Sequence, residues 1–484
     1  MTYRMVVDVK YIMKHRVLWL ILSVVLSSRL VAQPEPIWEN SFVFGVWNQV
    51  SGLAAAPNGD LIAGITVGSA YMTDYSFWLI RVDSSGNLIW DSNYENPMLS
   101  NSGMEDMLLL EDGRILVCGW GVVSGTKRCC RLVMTDADGQ LLWEVIHDDP
   151  VNTMYIEAAE STSDGGFIFT GGYGEQYLDE DILILKTDSL GSIEWMKTYP
   201  IRYRDTGETI SEISDGGYII SATVGYSLNR PNLCVLRTDT QGSVLWYTIY
   251  NSTELFMYPQ DVYETSSGNF QGAVRMFKQI TGGYTVLYEL SGDGYEEWMK
   301  ELDNDNSETN DFIPGDNGAF LHTGFTDDHD SVFLMQTDSL GNIDWYTTCS
   351  SDPYSSTSYR LCTMPDGGFG VGAWKGEAAW LIRFSAYSGV SLPPMNGSDF
   401  TCTCHPNPFT ESLTISFNPE PLSHVLMRVY DLSGRLVAME TVSPAQASNG
   451  LITWVPEESI PTGCYRISLE MDGQRAFSNC VYVK

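Results

Sequence analysis

The sequence predicts an all-β protein: a seven-bladed β-propeller closed by N- and C-terminal strands, followed by a small Ig-like β-sandwich. Three observations predict this architecture. A segment ending in Trp recurs at intervals of 47 to 53 residues through the body of the chain. A Gly-containing turn followed by an apolar stretch recurs seven times between those segments. The last stretch of about 80 residues carries short alternating apolar segments separated by turns, as β-sandwiches do.

Composition limits the classes of protein that fit. The chain has 484 residues and is 44% hydrophobic, which is too apolar for a disordered protein. Its 44 Gly and 26 Tyr favour short strands and tight turns. The net charge of −34 disfavours binding to nucleic acid or to an anionic membrane surface through bulk electrostatics. We therefore expect no nucleic-acid partner.

The first 32 residues have the order of a secretory signal peptide. Lys14 and Arg16 precede an apolar run over residues 17–26, and small and polar residues lead to Ala32. The run is shorter than the roughly 20 residues that a membrane-spanning helix needs. We predict a signal peptide over residues 1–32, cleavage after Ala32, and no transmembrane anchor in the mature protein.

Two short motifs define the repeat. The first reads Asp-x-x-Gly-x-x-x-Trp, with a degenerate copy at Gly294, and one Trp near the start has no such turn before it. The Trp residues of the series are Trp38, Trp90, Trp143, Trp195, Trp246, Trp298 and Trp345. The second motif is Asp-Gly-Gly in its best copies. Its seven copies begin at Asn58, Asp112, Asp164, Asp215, Ser267, Asn317 and Asp366.

One unit, residues 195–246, contains four strand candidates separated by turn signals. Gly supplies the positive φ that tight turns need, so we interpret the Asp and Gly of both motifs as turn formers. Four short strands repeated at regular spacing predict a propeller blade. A Trp at the same place in every unit is suited to fill the gap between blades, because it buries a large area.

The ends of the repeat region predict how the ring closes. Trp38 stands 52 residues before Trp90, whereas the strand at Trp380 has no Trp strand after it. We expect the strand around Trp38 to complete the last blade, which would remove an open sheet edge. The propeller is therefore predicted to span residues 33–390.

The Asp-x-x-Gly-x-x-x-Trp segments resemble the tryptophan-docking motif of quinoprotein propellers, which have eight blades. Cys129-Cys130 resembles the adjacent cysteine pair of some of those enzymes, and a quinone-cofactor enzyme is therefore one alternative. The repeats are also similar to those of secreted propeller proteins of Bacteroidetes-like bacteria. Residues 186–191 and 336–342 are close copies of that family's Lys-Thr-Asp-Ser-x-Gly-Asn segment.

After a linker predicted over residues 391–404, the tail at 405–484 resembles the type A C-terminal sorting domain of the type IX secretion system. The family's opening motif is Tyr-Pro-Asn-Pro-Phe, and His405 replaces its Tyr. Matching positions are Pro406, Asn407, Pro408, Phe409, Gly434, Gly463, Tyr465 and Lys484. The resemblance implies the type IX machinery as a partner, transit of the outer membrane, removal of the domain and often surface attachment. An ordinary binding sandwich is the alternative.

Ten cysteines in an exported chain permit disulfides. Cys464 and Cys480 flank a turn almost symmetrically, so we predict a bridge between them. Cys402, Cys404 and His405 alone are too few for a convincing metal site.

One loop alternates oxygen ligands as calcium loops do. Its candidate ligands are Asp303, Asp305, Ser307 and Asp311. The loop lacks the Gly at position six and the Glu at position twelve of a standard calcium loop, so a solvated loop is the alternative. Calcium is a candidate ligand, and no other cofactor is predicted.

Two functional hypotheses follow. The chain contains no His-Glu-x-x-His, Gly-x-Ser-x-Gly or Gly-x-x-x-x-Gly-Lys segment, which favours a secreted or surface-attached propeller that binds a glycan or protein without chemistry. The alternative is an extracellular glycan hydrolase that uses two of the 61 acids. The loops after each Trp vary most, and we expect them to crowd the binding face.

Overall fold

The computed structural model describes residues 4–8, 33–69, 74–175, 179–225, 231–252, 254–278, 281–302, 307–315, 318–326, 331–350, 356–387, 401–405, 409–410, 412–418, 425–431, 436–443, 450–456, 460, 462–471 and 474–482. The chain divides into two compact units. The first contains residues 1–26 and 33–388, and the second contains residues 27–32 and 389–484.

The first unit is a seven-bladed propeller, as predicted. Each blade is a four-stranded antiparallel sheet, and the first strand of each blade is the innermost. Blade 1 consists of β3 Trp47–Ala55, β4 Leu61–Gly68, β5 Tyr75–Val82 and β6 Leu88–Tyr94. Blade 2 consists of β7 Asn101–Leu109, β8 Ile115–Ser124, β9 Lys127–Thr135 and β10 Leu141–His147. Blade 3 consists of β11 Thr153–Ser161, β12 Phe167–Glu175, β13 Asp179–Thr187 and β14 Ile193–Tyr199.

The next three blades repeat this arrangement. Blade 4 consists of β15 Thr206–Glu212, β16 Tyr218–Val224, β17 Asn232–Thr238 and β18 Val244–Asn251. Blade 5 consists of β19 Phe256–Glu264, β20 Phe270–Lys278, β21 Thr281–Leu290 and β22 Glu296–Glu301. Blade 6 consists of β23 Glu308–Pro314, β24 Phe320–Phe325, β25 Ser331–Thr337 and β26 Ile343–Ser350.

Blade 7 takes strands from both ends of the propeller sequence. Its inner strands are β27 Ser356–Thr363, β28 Phe369–Lys375 and β29 Ala378–Phe384. The outermost strand is β2 Pro36–Phe42, which pairs antiparallel with β29 in the register Asn40↔Leu381. The short strand β1 Arg4–Asp8, which lies within the predicted signal peptide, pairs parallel with the outer edge of β18.

Both faces of each blade are apolar because every blade packs between two neighbours. In β12, Phe167 and Phe169 contribute to an apolar cluster with blade 2, whereas Ile168 contributes to a cluster with blade 4. The described residues form one such cluster at each of the seven seams between blades. This two-sided burial explains why the middle strands read as continuous apolar runs.

The Trp residues of the first motif dock onto the turn of the next blade. The Trp143 ring lies against Gly191, which has a φ of +78° and ends the Asp188 turn of blade 3. Trp38 of blade 7 lies against Gly86 of blade 1, and its indole N–H donates to the Ser84 carbonyl over 2.9 Å. The same side chain therefore fills the seam between blades 7 and 1.

Two seams depart from this pattern. The Trp298 indole N–H donates to Glu289 in its own blade, and Leu287 lies against the Gly341 turn instead. Trp345 stacks on Tyr387, with ring centroids 5.5 Å apart, because blade 7 has no turn motif at this point.

The second unit contains two sheets. One consists of β30 Thr401–His405, β31 Leu413–Asn418 and β34 Leu451–Trp454. The other consists of β33 Leu436–Val442, β32 Val425–Asp431, β35 Gly463–Met471 and β36 Gln474–Tyr482, in that order. Side chains of both sheets, such as Ile415 and Ile467, share one apolar core. The first strand of this unit, β30, begins at Thr401, four residues before the start of the domain predicted at His405.

In the described part of the chain, no helix is long and apolar enough to cross a membrane.

Candidate functional site

The innermost strands of the seven blades share one irregularity. In each blade the pairing register between the first and second strands shifts once. The extra residues at the shifts are Ser51, Glu105, Glu157, Glu208, Gln260 with Asp261, Asn310 and Tyr359. β-Bulges of this kind turn a side chain away from its regular direction. In blades 2 to 6 the extra residues are polar and line the central channel.

A cavity of about 560 Å³ lies at this level of the central channel. The innermost strands of all seven blades contribute to its wall. Its carboxyl groups belong to Glu105, Asp106, Glu157, Glu160, Glu208, Asp261 and Asp311, and its guanidinium groups to Arg275 and Arg360. Carboxyl groups therefore outnumber positive charges strongly in a space of the size that holds small ligands.

Burial shifts the titration of these carboxyl groups upward. Loss of water raises the pKa of Glu160 and of Glu208 to about 7 each. The same cause raises the pKa of Glu157, and the neighbouring carboxyl groups of Glu105 and Glu208 act in the same direction. Burial also raises the pKa of Asp261, beside Asp311. Part of this cluster is therefore protonated near neutral pH.

Arg360 connects three blades inside the channel. From β27 of blade 7, its Nε donates to the Ser51 carbonyl of blade 1 over 2.7 Å. Its Nη2 donates to the Glu105 carbonyl of blade 2, also over 2.7 Å. Burial disfavours the charge, but Asp106 and Asp311 hold the Arg360 pKa above its ordinary value. The charged guanidinium therefore links blade 7 to blades 1 and 2 by hydrogen bonds.

Two of the carboxylates also bridge blades. Asp106 of blade 2 accepts the backbone N–H of Ala159 in blade 3 over 2.9 Å. Asp311 of blade 6 accepts the backbone N–H of Leu361 in blade 7 over 2.6 Å. Glu157 differs from these two, because no side-chain hydrogen bond or ion pair links it to another described residue.

Stacked side chains hold the second arginine. The ring of Phe277 stacks between Phe256, at 4.9 Å, and Tyr258, at 5.3 Å between centroids. The Arg275 guanidinium lies 5.3 Å from the Tyr258 ring centroid and donates to Asn310 Oδ1 over 2.7 Å. This stack fixes Arg275 at the cavity wall.

The predicted calcium loop is only partly described. Asp303 and Asp305 lie outside the described residues, whereas Ser307 is buried with its hydroxyl 3.2 Å from Tyr346 Oη. Asp311 faces the channel and caps Leu361. No group of three or more His, Cys, Asp or Glu residues suited to a metal ion occurs in the described part of the chain. Calcium binding by this loop stays a prediction.

None of the described cysteines lines the channel cavity. Cys129 and Cys130 are buried in β9 as free thiols, and Cys130 belongs to the apolar seam between blades 2 and 3. In the second unit the register pairs Cys464 with Val481 and Cys480 with Tyr465. This one-residue offset disfavours a bridge, since successive residues of a strand alternate faces. The bridge stays a prediction, because these two side chains lie outside what the structure describes.

The sorting-motif residues are described only in part. Phe409 is buried and stacks on Tyr482 at 5.1 Å, and Tyr465 packs edge-on against Trp454 at 6.1 Å. Gly463 begins β35. Pro406, Asn407, Pro408, Gly434 and Lys484 lie outside the described residues.

Sequence reasoning missed the channel residues, although the repeat carried a signal for them. Each single bulge residue, and Gln260 in blade 5, stands seven positions before the first residue of a Gly turn motif, as Glu105 does before Asp112 and Glu157 before Asp164. Aligning the units on those turns would have shown an acidic column over blades 2, 3 and 4.

Residues 403–483 match the family model of the secretion system C-terminal sorting domain. This confirms the resemblance of the tail, and the chain is a propeller protein with a type IX sorting domain. No curated protein matches the chain.

Several solved structures are similar to the propeller. A protein of unknown function from Dyadobacter fermentans is 11% identical, with a TM-score of 0.46 over 72% of this chain and 98% of its own. The propeller domain of the Trilobed protease from Pyrococcus furiosus is 10% identical, with a TM-score of 0.41 over 72% of this chain and 100% of its own. An α-L-arabinofuranosidase from Fusarium graminearum is 11% identical, with a TM-score of 0.40 over 63% and 93%.

Proposed function

We propose that this secreted or cell-surface propeller binds an extracellular ligand in its central channel and performs no chemistry on it. The observation that carries the proposal is the polar cavity of about 560 Å³ between the seven inner strands. The favoured ligand class is a glycan, because the wall offers carboxyl, amide and guanidinium groups that suit hydroxyl groups.

Two features support a binding role for the cavity. The bulges aim polar side chains at the axis in blades 2 to 6, although a solid apolar core would be more stable there. Glu157 and Glu208 use none of their oxygens in hydrogen bonds that tie the blades together, unlike Asp106 and Asp311. The acceptor oxygens of Glu157 are therefore available to a ligand, and the Glu208 carboxyl group lies beside Thr223 of its own blade.

The sorting domain supports the location of this activity. We propose that the type IX machinery exports the chain, removes the second unit and leaves the propeller outside the outer membrane. A signal peptide over residues 1–32 would supply the preceding step across the inner membrane. Attachment to the cell surface, rather than release, is part of this proposal.

Binding can be tested with channel variants of the exported protein. The double variant E157Q/E208Q keeps side-chain size and removes two carboxylates, whereas E297Q removes an exposed acid of β22 as a matched control. Screening both against an oligosaccharide array should show glycans that wild type and E297Q retain and that the double variant binds at least about tenfold more weakly. Equal binding by all three proteins would contradict a channel site.

A glycan hydrolase is the second candidate, and one observation favours it. A pKa of about 7 at Glu160 and Glu208 suits a general acid that works near neutral pH. Carboxyl groups such as Asp106, which line the same cavity, would supply the partner carboxylate. Release of new reducing ends by wild type, lost in E160Q or E208Q, would replace the binding proposal with this one.

A further inference from the structure

We propose that the inner seam between blades 3 and 4 is a pH-sensitive switch, closed at acidic pH and looser at neutral pH. At this seam β11 of blade 3 and β15 of blade 4 lie side by side along the channel. The inference rests on contacts between the blades and does not depend on the proposed ligand.

A reciprocal clasp joins the two blades. Glu160 of blade 3 accepts the backbone N–H of Glu212 in blade 4 over 2.6 Å. The Glu212 carboxylate in turn accepts the backbone N–H and the hydroxyl of Ser163 in blade 3, over 2.7 and 2.9 Å. Glu264 of blade 5 accepts the same two hydrogen bonds from Ser214 of blade 4, but Ser211 of blade 4 stands at the position equivalent to Glu160. Of these two seams, the one between blades 3 and 4 has a carboxyl group from each blade in its hydrogen-bonded pair, whereas the one between blades 4 and 5 has a carboxyl group from blade 5 alone.

The seam concentrates carboxyl groups from two neighbouring strands. Glu157 and Glu160 come from β11, and Glu208 and Glu212 come from β15. Among the described residues, none of these four forms an ion pair. The groups that face them from other strands are Glu105 and Asp106 of β7, Tyr263 of β19, Arg128 of β9 and Arg360 of β27. Arg360 is already engaged with blades 1 and 2.

The sign of the pH effect follows from the direction of the shifts. Burial raises the pKa of Glu160 from the ordinary 4.5 to about 7, and it also raises the pKa of Glu157 and Glu208. A group whose pKa is higher in the closed seam stabilises it fully below the ordinary value, and this stabilisation is lost as pH rises. The seam should therefore weaken between pH 4.5 and about 7. Above that window Glu160 is ionised and its own contribution levels off.

Amide hydrogen exchange on the full exported protein tests the switch. After correction for intrinsic exchange rates, protection of the Glu212 amide should fall across this window, by up to about tenfold per pH unit for each group that titrates. The inner strand β3 carries no acid and serves as the internal control, so its amides should keep their protection. A fall shared equally by β3 would mean global destabilisation and would overturn a local switch. Unchanged protection at Glu212 would overturn it too.

Two variants separate titration from a merely structural role. E160Q and E208Q stay neutral at every pH and keep nearly the same shape, so each should flatten the pH dependence at Glu212. The E297Q control should follow wild type. If protection at Glu212 falls between pH 4.5 and 7 in the double variant E160Q/E208Q as steeply as in wild type, Glu160 and Glu208 are not the sensor and the switch as proposed is overturned.

Discussion

Trp90 of blade 1 lies so close to Gly139 of blade 2 that a Cβ added to the glycine would stand 2.7 Å from Trp90 Cζ3. The turn that Gly139 closes also receives a hydrogen bond from the Tyr94 hydroxyl, over 2.6 Å to the Gly139 carbonyl. Equivalent pairs join Trp143 to Gly191 and Trp195 to Gly242. The Trp of one copy of the motif therefore packs against the Gly of the next copy, which belongs to the following blade.

The substitution G139A should destabilise the propeller through two separate effects. Gly139 has a φ of +75°, which costs an alanine about 1–2 kcal/mol. The new methyl group would also collide with the Trp90 ring, which adds about 1–3 kcal/mol of overpacking. Denaturant unfolding measures the sum. G165A is the matched control, because Gly165 has a φ of +86° and no atom within 4 Å of its added Cβ. Equal losses in both variants would mean that docking contributes nothing.

The substitution K186M should make the free energy of unfolding less sensitive to acid. Lys186 is buried and pairs with Asp164 and Glu194, each over 2.9 Å. Burial alone would raise the Asp164 pKa, but hydrogen bonds from Thr162 and Lys186 lower it to about 2. A lowered pKa stabilises the fold above the ordinary 3.8, and this contribution is lost as pH falls through about 2. The loss of unfolding free energy between pH 4 and pH 2 should therefore be smaller in K186M.

A double-mutant cycle supplies the control for this pair. D164N and K186M should couple, so that the double variant loses less stability than the two single losses added together. Strict additivity would indicate that the ion pair has no energetic role.

The substitution R360M should destabilise the propeller by about 3–5 kcal/mol, because it leaves buried carboxylates without their cation and two carbonyls without a donor. The affected carbonyls belong to Ser51 and Glu105. R360K keeps the charge but cannot serve both carbonyls in the same geometry, so it should fall between wild type and R360M. Unfolding in urea at one pH ranks the three proteins. A loss in R360K as large as that in R360M would show that geometry, and not charge, is what Arg360 supplies.

Deletion of residues 403–484 should stop export while leaving the propeller folded. The deleted segment covers the residues that match the sorting domain, and it lies in a compact unit separate from the propeller. Fractionation should find the truncated protein inside the outer membrane and the full-length protein outside it. Thermal unfolding of the truncated protein checks that its propeller is intact. Truncated protein in the medium or on the cell surface would contradict the proposed export route.

The repeat predicted the number of blades because its two motifs report local physics. Gly165 and Gly191 have positive φ, and the Trp residues need a flat surface to pack on, so both leave a fixed pattern in the sequence. The tail was predictable for a different reason, since its motif residues resemble a known family. The β-bulges on the innermost strands were not predictable in this way. A bulge is a shift of register between two strands, and the sequence of one strand does not specify it.

The channel acids were hidden by composition. Glu105, Glu157 and Glu208 are three of 61 acids, and acidic side chains are exposed in most proteins. Only the ring geometry shows that these three share one cavity. Arg360 was equally inconspicuous, because its partners in blades 1 and 2 are more than two hundred residues away in the sequence.

The most direct test of a channel that binds without chemistry is one experiment with two readouts on the exported protein. Retention on an oligosaccharide array reports binding, and the release of reducing ends from the retained glycan reports cleavage. The account predicts retention that E157Q/E208Q weakens at least about tenfold and that E297Q leaves unchanged, with no reducing ends released. Equal retention by wild type and E157Q/E208Q would contradict the account. Release of reducing ends by wild type that is lost in E160Q would contradict it as well.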